Sequence, residues 1–480
     1  MSMLETPNRA RLRTALVALA AAGIAAVSAA AEWGSYARPF SAQSPWNARP
    51  IDPVLGDFVI PPSTYMPAIA GGAYSTGAFR ANKTDKPMEI LPLPGRNGVW
   101  DPDAARVHPS ITIPRWPADV IPATGSDGHA DIVDETDGII HSFFKLKQID
   151  GQWRTAQYAW TRLDGRGWGE PGHYYQGARA AAVPTMGGLI RSHEINDGNP
   201  MYLHALAMSL AHNGLSADPT YVFPATSADR GAARTNTGQI PEGALLMLPA
   251  EYDTSRIRNP RLRKVAETLK VYGAYVVDRN VGTPFVIYVE NGSGFSLHGG
   301  SWDSHTGNEL NRMRAALRQV TGVSGWLDGD GRPMVMEQRL NLLSMRGDWT
   351  KVHGDRLGTF ETWQQAVVFE AGLSGVEQKN SSASMLQPVR WALPQAGASY
   401  QLTARTTGGG RLRMRLFGAD PAQPVFDSGE LANGESRVFT WPAGPARHEV
   451  TAFSGDGSRM STVGASLVQL TQGAQSGGQK

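Results

Sequence analysis

The stretch from Ser126 to Gly138, SDGHADIVDETDG, sets Asp127, His129, Asp131, Asp134, Glu135 and Asp137 around a short apolar centre. On a strand over 127–133, side chains two apart share a face, so Asp127, His129 and Asp131 line up while Ala130 and Ile132 turn into a core. Neighbours on that face are roughly 6.6 Å apart and the two aspartates roughly 13 Å. Glycoside cleavage needs carboxyls about 5–5.5 Å apart for retention or about 6.5–9.5 Å for inversion. One aspartate therefore needs a carboxylate from elsewhere in the chain, with His129 between them to tune or relay protons. Alternating Asp and His also suits a metal, and the same residues make a solvated strand face that ends in the turn DETDG.

Glu194 is the preferred partner. It lies in IRSHEINDG, where Arg191, His193, Glu194 and Asp197 gather just before His204, and a loop dense in ionisable groups on a scaffold is where sites tend to form. Two other loops offer sugar contacts. GRGWGEPGHYYQG carries Trp168, Glu170, His173, Tyr174 and Tyr175, and SLHGGSWDSHTGNE carries His298, Trp302, Asp303, His305 and Glu309. Trp160, Trp168, Tyr174 and Trp302 are candidate stacking platforms for a sugar ring, with Arg191 and His204 as further substrate contacts. Each has a plainer use, as aromatic packing, helix cap or core histidine. Asn308 or Thr306 would cap a helix after Trp302. The chain has no P-loop, no G-x-G-x-x-G after a strand, no G-x-S-x-G and no H-E-x-x-H, so nucleotide, dinucleotide, serine-hydrolase and zincin chemistry has no support. No cofactor and no metal is expected.

The elements that must carry these groups are mainly strands. The chain has 54 Gly and 32 Pro in 480 residues, with 13 Trp and 13 Tyr, a composition for many turns and short strands. Residues 32–126 are proline-rich and lack helical period. GIIHSFFKLKQ and GQWRTAQYAWT flank Asp150-Gly151, the strongest short hairpin signal. MYLHALAMSLAHNG reads as a helix through Met201, His204, Ala205, Met208 and His212. Further helices are expected over Leu262–Leu269, ending near Gly273, and over Leu310–Val320. The expected architecture is a large jelly-roll-like β-sandwich with inserted helices over 32–350, then a small β-sandwich module over 358–470 and a disordered tail over 471–480.

Residues 1–31 have the form of a secretory signal peptide: Arg9, Arg11 and Arg13, then TALVALAAAGIAAVSAA, then a small-residue exit before Glu32. That segment holds three Arg and one Glu, so the 45 basic and 43 acidic residues of the chain reduce to 42 of each in a mature form with zero formal charge. A basic stripe for nucleic acid is not indicated. The absence of cysteine excludes thiol nucleophiles and thiolate metal sites. Localisation is expected to be secreted or periplasmic, with no membrane contact after signal cleavage, and the oligomeric state is left open.

Two fragments resemble jelly-roll alginate-type lyases. Arg191-Ser192-His193-Glu194 is similar to their R-S-E strand, and His173-Tyr174-Tyr175-Gln176 is similar to their Tyr-and-Gln strand. The family's Q-I/V-H motif has no match here and the fragments fall in the wrong order, so no catalytic role is carried over. The chain more broadly looks like secreted bacterial β-sandwich proteins that act on polysaccharides. The expectation is an exported enzyme that cleaves a polysaccharide or cell-envelope glycan, by glycoside hydrolysis with Asp127 or Asp131 and Glu194 as the carboxylate pair. A polysaccharide lyase using Arg191 on a uronate and a non-catalytic glycan-binding protein are the alternatives.

Overall fold

The computed structural model describes residues 32–382, 385–444 and 447–470; the signal-peptide and tail readings lie outside them. The protein is mainly β, 34% strand and 8% helix, with mixed and antiparallel sheets and no barrel. Three sheets and a helical layer stack in the larger part. Helices Pro260–Val271 and Ser304–Ala316 bury Leu262, Val265, Leu269, Leu310 and Met313 against Leu206, Met208, Leu210, Val276 and Ile287 of a seven-stranded sheet. The other face of that sheet, through Ala207, Tyr275, Val277 and Tyr288, packs on Val133 and Ile140 of a six-stranded sheet. The far face of the six-stranded sheet, with Ala130, Ile132, Phe143 and Tyr158, meets Ile90, Ile113 and Trp153 of a four-stranded sheet.

Because both central sheets are covered on both faces, their strands lose the alternation that marks a half-solvated strand. This corrects the helix read at 201–214. Leu206–Ala211 is a strand buried at every position, parallel to Ala274–Asn280 and antiparallel to Phe285–Tyr288. A continuous apolar run fits either element, and this one is strand length. The other two helices form, with shifted ends. Asn259 caps the first by accepting from the N–H groups of Arg261 and Leu262, and Gly273 (φ 72°) follows it. Asp303, not Asn308 or Thr306, caps the second, and Val320 lies beyond its end in the strand Arg318–Gly322.

Asp150 (φ 50°) and Gly151 (φ 77°) make the tight turn between Lys147–Ile149 and Gln152–Thr155. Past a kink at Lys145 (φ 61°) the hairpin continues as Ile139–Phe144 paired with Gln157–Arg162, so one hairpin joins the four- and six-stranded sheets. The C-terminal part is a sandwich of two antiparallel five-stranded sheets. Leu342, Leu343 and Met345 lie in its core, and Thr350–His353 is one of its edge strands.

Candidate functional site

The strand Ala130–Asp134 is buried throughout, so the face carrying His129 and Asp131 is not solvated but turned toward the seven-stranded sheet. Asp127 precedes the strand, in a turn where Gly128 has φ 47° and Lys145 N–H donates to Asp127 O. Opposite, the pairing of Leu206–Ala211 with Ala274–Asn280 slips between Met208 and Ser209. A bulge of this kind re-aims the side chains that follow it, and Asp278 comes directly after it at the end of the strand where burial gives way to partial exposure.

Arg179 joins the two walls. It is 1% exposed, and its Nη1 donates to Asp278 Oδ2 at 3.1 Å and to Tyr74 O at 3.2 Å. The guanidinium carbon lies 3.7 Å from the centre of the Tyr288 ring. Its Nε and Nη2 meet no acceptor among the described residues, leaving two buried donors of the strongest kind for a ligand. Asp229 completes the cluster. Its charge acts on Asp278 and raises it, and Asp229 Oδ2 accepts from Arg279 N–H at 2.8 Å. Beneath, fully buried Glu242 accepts from Asp229 N–H at 3.0 Å.

Burial and like charge together hold protons here. Burial is the main cause that pushes Asp278 up to about 7; Arg179 opposes it and Asp229 adds to it. Asp229 is raised by burial against the pull of Arg279, and Glu242 is raised well above the carboxylate range by burial and then by Asp229. Asp127 raises both Asp229 and Asp278 by its charge. Asp131 is pushed up to about 6 by burial, although Met186 N–H donates to its Oδ2 at 2.7 Å. His129 is driven down to about 3 by burial and by Arg179, so it is neutral at physiological pH. The Tyr175 hydroxyl is raised mainly by burial, with the charges of Asp278 and Glu242 adding to the rise.

Arg179 is delivered by an irregular loop that bonds mainly to itself. Gln176 N–H donates to Ala182 O, Arg179 N–H to Val183 O, and the Gln176 side chain to His173 O. At Gly177 a Cβ would sit 2.0 Å from Pro184 N and Val183 C, so only glycine lets the two strands of the loop approach this closely.

The structure brings Asp127, His129 and Asp131 to this cluster and places Glu194 elsewhere. Glu194 pairs with His204 at 3.1 Å and accepts from Arg191 N–H at 2.9 Å. Arg191 is buried, paired with Glu290 at 3.2 Å and seated 4.5 Å from the Tyr36 ring centre. His204 leads into a strand, and its two ring nitrogens face Glu194 and Ala205 O. Burial lowers its pKa, but the Glu194 charge and the hydrogen bonds outweigh that and raise it.

Trp168 is no platform. It is 0% exposed, stacked on Trp46 at 5.3 Å, and donates Nε1–H to Ala181 O. Trp160 is buried as well, against His173 at 4.2 Å. Tyr174 is half-buried beneath Arg346. Trp302 alone of the four is open, 60% exposed and stacked on His298 at 4.5 Å.

Arg179, Asp229, Glu242, Asp278 and Arg279 were not singled out from the sequence. The available signal was a charged pair, Asp278-Arg279, closing the apolar run AYVV. Among the described residues no group of three or more His, Asp or Glu side chains is arranged to hold a metal, Asp127, His129 and Asp131 included.

A mainly β, layered protein with a carboxyl cluster around buried Arg179 between two sheets is the class these observations define. No family model matches the chain, and no curated protein matches it. Solved structures with partial likeness include accessory secretory proteins 1, 2 and 3 of Streptococcus pneumoniae, at 15% identity and TM-score 0.20 over 28% of this chain and all of that one. A glycosylation-associated protein complex of Streptococcus agalactiae follows at 13% identity and TM-score 0.15, over 26% of this chain and 46% of that one. A family two carbohydrate esterase of Cellvibrio japonicus follows at 11% and 0.14, over 26% and 33%. Likeness at this level carries no argument about activity.

Proposed function

We propose that this protein is an exported enzyme that hydrolyses glycosidic bonds of a neutral polysaccharide, with the Asp229–Asp278 pair as its proton donor. The observation that carries the reading is Asp278 set 3.1 Å from buried Arg179, with burial pushing its carboxyl up to about 7 and the charge of Asp229 adding to the rise, where a general acid works best at neutral pH. Asp229 raises Asp278 by its charge, and in this reading the two act as one acid. Asp127 is then the base. Water attacks the anomeric carbon as the carbon–oxygen bond breaks; the leaving oxygen takes the proton from the pair, and Asp127 takes one from the water.

Charge supports hydrolysis over elimination. Arg179 and Arg279 face Asp127, Asp131 and Asp229, with Glu242 and Asp278 raised, which leaves no cationic excess to hold a uronate. Arg191, the uronate contact of the lyase alternative, is buried and paired with Glu290. The test is a screen of residues 32–480 against neutral and uronate polysaccharides, following reducing ends and ultraviolet absorbance together. New reducing ends without absorbance support hydrolysis. Absorbance near 235 nm means elimination, and binding without either signal means a glycan-binding protein.

A further inference from the structure

We infer that the C-terminal sandwich is a working part of the catalytic site, and that Asp103 is the positioning residue through which it acts. The inference rests on the site proposed above. An appended β module ordinarily meets its neighbour through a modest polar interface and moves relative to it. Here the interface has a buried hydrogen-bond network at Asp103 and reaches the two loops that supply site residues.

The first loop is the one that carries Tyr175 and Arg179. Asp103 is 1% exposed. On its sandwich side, Gln365 Nε2 and Thr362 Oγ1 both donate to Asp103 Oδ2, the latter at 3.3 Å. On its other side, Tyr175 N–H donates to Asp103 Oδ1 at 3.3 Å, and His173 Nε2 lies 3.3 Å from Oδ2. Trp160 backs His173 and donates Nε1–H to Thr362 Oγ1 at 3.0 Å. Burial opposes the charge on Asp103, but His173, Arg346 and Gln365 together outweigh it and hold the carboxyl below its usual range. A buried carboxylate with donors on both sides is a rigid joint, because moving either side strands it without a partner.

The second loop carries Asp229. Trp391 donates Nε1–H to Ala225 O at 2.8 Å and packs edge-on to Phe223 at 5.3 Å. Arg390 pairs with Asp218 at 2.8 Å, and its N–H donates to Tyr221 Oη at 3.2 Å. The two loops are tied to each other by Thr226 Oγ1–H donating to Tyr174 O at 2.7 Å. The sandwich thus braces the two loops that carry Arg179 and Asp229.

The experiment compares Thr362→Val and Thr362→Ser in the full protein, each with Gln365→Leu and with wild-type Gln365. Amide hydrogen exchange is read over 173–184 and 218–229, with kcat and KM on the glycan that the screen identifies. Thr362→Val with Gln365→Leu is expected to speed exchange in 173–184 by at least about tenfold, since local opening tracks the contacts that hold a segment. It is expected to lower kcat by up to about 10²-fold with KM little changed, as for a reacting group displaced by about an ångström. Thr362→Ser alone keeps the hydroxyl and should behave as wild type. Unchanged exchange in both loops overturns the inference whether or not a glycan is cleaved. Faster exchange with unchanged kcat also overturns it, since the loops would then be braced without serving catalysis. Faster exchange in a protein that cleaves nothing refutes the hydrolase reading and leaves the brace as a structural joint only, again contrary to the inference.

Discussion

Arg179 and Asp278 are 3.1 Å apart, nitrogen to oxygen, with the guanidinium laid against Tyr288 and sealed from solvent. Arg179→Met would leave Asp278 and its neighbours without their buried cation. Removing one partner of a buried pair costs about 3–5 kcal/mol, which denaturant unfolding would read. Arg179 lowers the Asp278 pKa, so the alkaline limb of activity should move upward in the variant.

Asp278→Asn should change stability with pH in a defined sense. The folded Asp278 keeps its proton to about pH 7, while an unfolded aspartate releases it near pH 3.9. The wild type therefore loses stability as pH rises through that window, and the variant does not. Each pH unit between the folded and unfolded titration points is worth about 1.36 kcal/mol. Relative to wild type, Asp278→Asn should therefore gain stability, on the order of a few kcal/mol, between pH 4 and pH 8. Parallel pH profiles of the two proteins would refute the assignment.

His129→Gln should show the opposite trend. An unfolded histidine takes a proton near pH 6.5, but the folded His129 resists until about pH 3. The wild type loses stability as pH falls through that window. The variant should gain on wild type by about 4–5 kcal/mol between pH 7 and pH 3, read by urea midpoints at each pH.

Two tryptophans separate packing from surface. Trp168→Ala empties a fully buried stack with Trp46 and should cost about 3–5 kcal/mol. Trp302→Ala, on an exposed loop, should stay within about 0.5 kcal/mol. Thermal unfolding of both checks the contrast.

Local signals were legible in the sequence and long-range ones were not. Asp150-Gly151 announced its turn, and the 260–271 and 304–316 helices showed their apolar stripes, because those patterns are set within a few residues. The strand Leu206–Ala211 passed for a helix because a sheet covered on both faces erases the period of two. The polar stretch at 127–131 lies within the field of Arg179, Asp229 and Asp278, yet these residues come from segments about 50 to 150 residues away and are joined to it only by sheet packing. The dense loop at 190–198 pointed elsewhere, since its charges are spent on pairs such as Glu194 with His204 and Arg191 with Glu290.

Proton donation by the Asp229–Asp278 pair in glycoside cleavage is tested most directly by reducing-end release from a neutral polysaccharide panel across pH 5–9, with wild type and Asp278→Asn side by side. Wild-type activity is expected to fall with an apparent pKa near 7, and the variant to lose about 10²–10⁴-fold. Full activity in Asp278→Asn, or release that climbs steadily above pH 7, would contradict that role.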